Sequence, residues 1–180
     1  MTAHDSALLI VDLKNDLCTA GALRIRGGER IIAAVHHAAG RFSAEGRPVL
    51  ACRDRYPPQT RQDSPGAACP PESCLPDKAT VLSKGSEADR DGYSAFDTVT
   101  AEGENLSGIL KIMSIRHLYL CGMATDDCIM YTAMDALNRG FSVTVLTDAV
   151  AGINAHPGDC SRAMEIMVCG GVQLETTECL

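Results

Sequence analysis

The chain has 180 residues, 46% of them hydrophobic, and a formal net charge of −7. That length suits one domain with a real core, 1–180, and the composition excludes a disordered chain. The acidic balance argues against nucleic acid and anionic membranes as partners.

No apolar run approaches the roughly 18 to 20 residues of a membrane span. The opening MTAHDSALLIVD lacks the basic start and small-residue cleavage site of a signal peptide, so the expected location is the cytoplasm. Nine cysteines in such a chain read as reduced thiols rather than a disulfide framework. Cys52, Cys121 and Cys169 fall in apolar runs and read as small buried hydrophobes. Cys69 and Cys74 lie C-x4-C in a Pro-rich loop, a spacing too wide for an ordinary metal site.

Ala7–Val11 is a short apolar run ending at Asp12, in the manner of a buried parallel strand. Glu29–Glu45 carries apolar residues at helical spacing and stops at Gly46. Pro48–Cys52 predicts a second strand, and Arg53–Lys78, rich in Pro, Gly and Ser, a loop. Thr80–Ser83 is a third strand, followed by a loop containing Gly85 and Gly92. Asn105–Met113 predicts a helix, His117–Cys121 a fourth strand, and Thr125–Arg139 a helix ended by Gly140. Ser142–Leu146, Pro157–Cys169 and Val172–Leu174 complete the series as strand, helix and strand. Short apolar strands alternating with helices imply a parallel sheet covered on both faces.

In such a sheet, ligands bind beyond the C-terminal ends of the strands. Three ionisable groups fall there: Asp12 after the first strand, Lys84 after the third, and Cys128 on the helix after the fourth. In HLYLCGMATDDC, residues 117–128, a strand and a Gly-Met-Ala turn lead into a helix with a cysteine in its first turn. There the helix dipole favours the thiolate, and unpaired backbone N–H groups offer an anion site. An ordinary cysteine, with a pKa of about 8.5, is mostly protonated at neutral pH, so a base is needed. Asp12 can take the thiol proton and return it to a leaving amine. Lys84 can stabilise the thiolate or keep Asp12 ionised. The N–H groups of Ala124 and Cys128 would meet the oxyanion formed by attack on a carbonyl. Singly, each residue has an ordinary explanation as a turn, solvated or core residue. Their joint placement at strand ends carries the reading.

These residues sit in segments that resemble the isochorismatase-like cysteine hydrolases, most closely the nicotinamidase/pyrazinamidase branch. The matching stretches are 7–32, SPGAA at 64–68, SKGSEADRDGYSAF at 83–96, and 120–153. The resemblance implies a three-layer α/β/α fold, Rossmann-like, with a six-stranded parallel sheet. It implies Asp12, Lys84 and Cys128 as a catalytic triad, and a cis peptide between Met123 and Ala124 that turns the Ala124 N–H towards the oxyanion. It implies a small-molecule amide as substrate and a homodimer or larger assembly.

The chain departs from the family in two places. Nicotinamidases hold a metal through an Asp-x-His and further histidines; here Asp54 stands in the first position and Tyr56 replaces the histidine. None of the five histidines lies within 52–80, so no metal and no other cofactor is expected. The aromatic that normally follows the first strand is Leu17, and the chain has no Trp, leaving Tyr93 and Tyr56 to line a ring pocket. Arg53 and Arg55 can bind a substrate carboxylate or can be solvated loop residues. Three other readings stay open. One is a metal-free isochorismatase-type or carbamoyl/ureido hydrolase. Another is a binding module that keeps the fold, and the third is a redox sensor, although no C-x-x-C occurs.

Overall fold

A computed structural model describes residues 5–13, 25, 30–53, 75–84 and 93–180. Among the described residues a seven-stranded sheet forms the centre of the molecule. The strands are β1 (Ser6–Val11), β2 (Val49–Arg53), β3 (Thr80–Lys84), β4 (Thr98–Val99), β5 (His117–Met123), β6 (Ser142–Ala151) and β7 (Gln173–Glu175). The helices are α1 (Ile31–Ala44), α2 (Leu106–Ile112), α3 (Met130–Asn138) and α4 (Asp159–Gly170). The sheet order is β4-β3-β2-β1-β5-β6-β7. Every pairing is parallel except β3 with β4.

Six of these strands are the six expected. The seventh, β4, corrects the strand count. It is two residues long and pairs antiparallel with Ser83 and Lys84 at the sheet edge. Two residues carry no readable periodicity, which is why it escapes a pattern search. Parallel strands buried on both faces need near-continuous apolar sequence, and β1 satisfies this with every residue buried.

Side chains of successive strand residues point to opposite faces, and the core divides accordingly. Leu9, Val11, Leu50, Leu82, Leu118, Leu120 and Val145 pack with residues of α2, α3 and α4 on one face. Leu8, Ile10, Val49, Ala51, Cys121 and Met123 pack with Val35, Ala38, Ala39 and Phe42 of α1 on the other. The result is three layers, α/β/α. The Asn105 side chain caps α2 by accepting from the Gly108 N–H at 2.8 Å, which fixes the predicted start of that helix. None of the described helices is long and apolar enough to cross a membrane.

Two sequence expectations are corrected. The predicted helix over Thr125–Arg139 opens with a π-helical turn, Thr125–Ile129, before α3 begins. Cys169 is exposed, whereas Cys52 and Cys121 are buried as expected. The helix α4 buries Ala163 and Met167, one turn apart, and Cys169 lies off that stripe.

Candidate active site

The strand order supplies the position of the site before any side chain is considered. From β1 the chain winds through β2 to β3 in one direction, and from β5 through β6 to β7 in the other. Neighbours β1 and β5 therefore flank the topological switch point, and open α/β sheets bind their ligands outside the strand C-termini at such a point. Asp12 follows β1 directly, and the turn bearing Cys128 follows β5.

Register brings these ends level. Val11 pairs with Gly122 on one side and with Cys52 on the other. The Asp12 N–H donates to the Cys52 carbonyl at 3.1 Å, closing the last rung. Asp12 then turns out of the strand at φ 47°, a left-handed conformation that aspartate tolerates better than most residues. It is buried, at 2% exposure. Gly122 takes φ 116°, and a Cβ there would collide with the Val11 backbone, so this crossing of β1 and β5 admits only glycine.

Beyond Gly122 the Met123–Ala124 peptide is cis. The Ala124 carbonyl accepts from two N–H groups, those of Asp127 at 3.2 Å and Ile129 at 3.0 Å. The second is an i→i+5 bond, the signature of a π turn. Cys128 lies between these two donors, half-buried, with its side chain against the core of the α2–α4 face. Asp127 has non-helical backbone angles, so the turn is kinked immediately before the cysteine.

The other described candidates also gather at this end of the sheet. Lys84 is the last residue of β3, level with Thr98 of β4. In the sheet order β2 lies between β3 and β1, which puts the Lys84 backbone two strand spacings from the end of β1, about 10 Å. Arg53 ends β2, is exposed, and its Nε donates to Ser83 Oγ at 3.5 Å. Tyr93 is 45% exposed and stacks on Tyr131 of α3, ring centroids 5.3 Å apart. The segment behind Tyr93 is pinned to the same helix, because the buried Ala95 N–H donates to Thr132 Oγ1 at 2.9 Å. Thr132 is one helical turn beyond Cys128. Leu17, Asp54, Arg55, Tyr56, Cys69 and Cys74 lie outside the described residues.

Several cysteines are distinguished by their surroundings. Burial pushes the Cys121 thiol well up, with the Asp148 carboxylate adding to the effect, so Cys121 is unsuited to act as a thiolate despite standing seven residues from Cys128. Burial also raises Cys160, assisted by the neighbouring Asp126. Three residues that sequence reasoning did not select now stand out: Tyr131, Thr132 and Asp126. Their signal is spatial, since each acts on a partner more than twenty residues away in sequence.

The family model described as the isochorismatase domain matches residues 6–178. The nicotinamidase of Escherichia coli (strain K12) is 32% identical over 200 residues, covering 94% of each chain. The crystal structure of pyrazinamidase of Pyrococcus horikoshii in complex with zinc superposes with a TM-score of 0.84 at 34% identity, covering 96% of this chain and 99% of that one. The structure of PnC1 from L. infantum in complex with nicotinate superposes with a TM-score of 0.80 at 26% identity, covering 98% and 95%.

Proposed function

The chain belongs to the isochorismatase-domain family, and from that premise we propose that it hydrolyses the C–N bond of a small, nicotinamide-like amide through a thioester on Cys128. Relatives named nicotinamidase and pyrazinamidase support amide hydrolysis. The observation that carries the finer reading is the switch point itself. A carboxylate and a thiol occupy its two sides, one on the residue after β1 and one on the turn after β5.

The chemistry follows from the groups. Asp12 takes the Cys128 proton, and the thiolate attacks the amide carbon. The carbonyl oxygen becomes an oxyanion, which the N–H groups of Ala124 and Cys128 stabilise. The intermediate collapses by breaking the C–N bond, and Asp12 returns its proton to the departing ammonia. Asp12 then deprotonates a water, whose oxygen attacks the thioester. The carboxylic acid leaves and the thiol is restored. Lys84 is assigned to hold Asp12 ionised and oriented. Tyr93, backed by Tyr131, is the aromatic wall against which a planar ring rests.

The zinc of the Pyrococcus horikoshii structure raises the question of a metal here. The donor set does not fit one. Asp54 stands in the sequence where the family's first ligand does, but Tyr56 takes the place of a histidine. Among the described histidines, His36 and His37 lie on α1, and His117 lies at the end of β5 remote from Cys128. His156 pairs with Asp159, with its side chain 87% exposed. The proposed chemistry is therefore carried by Asp12, Lys84 and Cys128 without a metal ion. The assembly proposed is a homodimer or larger homo-oligomer in the cytoplasm.

The test is ammonia release from nicotinamide by the wild type and by Cys128→Ala, after EDTA and again with added Zn²⁺. Release that needs Cys128 and ignores both additions supports the reading. Release that survives Cys128→Ala overturns it. Release only with Zn²⁺ would show that a metal is required and would overturn the metal-free reading. No release at all redirects the search to carbamoyl and ureido compounds.

A further inference from the structure

The π turn that carries Cys128 is not a conformation that its own sequence favours. Such turns are rare, and one kinked at Asp127 needs support from outside. Asp126 supplies a connection of that kind. Its carboxylate leaves the turn and meets the loop after β6, where Oδ1 accepts from the Ile153 N–H at 2.8 Å and Oδ2 from the Asn154 N–H at 2.6 Å. Asn154 sits at φ 50°, a left-handed conformation that lets two successive N–H groups converge on one anion. Hydrogen bonds to an ionised acceptor are about twice as strong as neutral ones.

The surroundings are shaped for this contact. A Cβ on Gly152 would collide with Cys160 Sγ and lie 2.6 Å from Asp126 Oδ1. Three elements thus close on one carboxylate: the π turn, the β6–α4 loop and the first turn of α4. The charged groups bordering it are Asp127, Asp159 and Arg162, around an open cleft of about 330 Å³. Arg162 pairs with Asp159 at 2.7 Å, while the Asp126 carboxylate takes the two loop N–H groups.

We propose that Asp126 is a positioning residue: by clamping Gly152–Asn154 to the π turn, it fixes the backbone that presents Cys128 and its N–H to the substrate. This rests on the reading of Cys128 as nucleophile. Asp126 touches no reacting atom. Its effect passes entirely through the geometry of residues 125–129.

Asp126→Asn keeps the size of the side chain but turns one acceptor into a donor, setting an N–H against an N–H. Misplacing a reacting group by about 1 Å costs on the order of 100-fold in rate. The expected result is a fall of about that size in kcat on nicotinamide, with KM changed less than about threefold. Site-resolved iodoacetamide labelling of Cys128 across pH 6 to 9 gives a second readout that needs no substrate. Its midpoint should rise, because the thiol leaves the N-terminal end of the helix. Removing a nearby negative charge would by itself lower the midpoint, so the sign separates positioning from a through-space effect. Gly152→Ala presses on the same clamp while leaving the carboxylate in place, and it should move kcat and the midpoint in the same directions.

Folded variants with wild-type kcat, or with an unchanged or lowered midpoint, overturn the proposal. If Cys128→Ala retains turnover, it is the nucleophile reading that has failed, and the clamp falls with it. Full loss in Cys128→Ala together with no effect of Asp126→Asn and Gly152→Ala refutes the clamp alone.

Discussion

Gly122 and Val11 are paired across β5 and β1 so closely that the Val11 carbonyl occupies the space a Cβ on Gly122 would need. This one contact sets how near the C-terminal ends of β1 and β5 come. Gly122→Ala meets both a positive φ and hard backbone, without a flexible side chain to yield. The left-handed penalty and overpacking together should cost about 3 kcal/mol or more in urea unfolding. A variant of unaltered stability would mean that β1 and β5 are held apart by something else.

Thr132 joins α3 to the segment bearing Tyr93. Its hydroxyl accepts the buried Ala95 N–H at 2.9 Å, and Thr132 is fully buried. Thr132→Val keeps the shape and removes the acceptor, leaving a buried donor unpaired. We expect a loss of about 1 to 3 kcal/mol in denaturant unfolding. KM for an aromatic amide should rise more than kcat falls, because Tyr93 is displaced while the proposed triad of Asp12, Lys84 and Cys128 stays.

His117 makes stability depend on pH. It is buried at the start of β5, with Nε2 2.9 Å from Thr144 Oγ1. Burial holds its pKa below the ordinary 6.5, with Arg47 acting in the same direction and the Glu175 and Asp5 carboxylates opposing. The folded state therefore binds the proton less readily than the unfolded chain. Its contribution is complete above the unfolded pKa of about 6.5 and is lost as pH falls from there through the folded value. Urea midpoints should be level from pH 8 to 7 and decline below pH 6.5. His117→Gln should flatten that decline, and an identical decline in the variant would assign it to other groups.

Asp12→Asn removes the proposed proton carrier without changing volume. General acid–base contributions are about 100- to 10,000-fold, and kcat should fall by that order. Lys84→Met should also lower kcat, because Asp12 would lose the cation proposed to orient it. An unchanged kcat would remove Lys84 from that role.

Much of the fold was legible because parallel strands buried on both faces leave plain apolar runs, as in ALLIV and HLYLC. The helix starts at Asn105 and the stop at Gly140 were local signals and lay where expected. Three features were hidden. The strand at Thr98–Val99 is too short to show a period. The extension of β6 to Ala151 follows an irregular pairing, in which β6 advances from Val145 to Val150 while β5 advances from Leu120 to Gly122. The π turn reads as ordinary helix in TDDCI, because what accompanies its distortion is a contact with residues 153 and 154. At the site, Asp12 and Cys128 could be selected by strand-end logic alone. Tyr131, Thr132 and Asp126 could not, since their partners are distant in sequence.

The most direct test of the account is to catch the covalent intermediate. The wild type would be mixed with excess nicotinamide, quenched in acid within the first turnovers and analysed by peptide mass spectrometry. The account predicts a nicotinoyl adduct on the peptide containing Cys128, absent from Cys128→Ala, which also shows no turnover. Steady turnover with no adduct at any quench time, together with an active Cys128→Ala, would contradict the thioester and leave Asp12 acting on water directly.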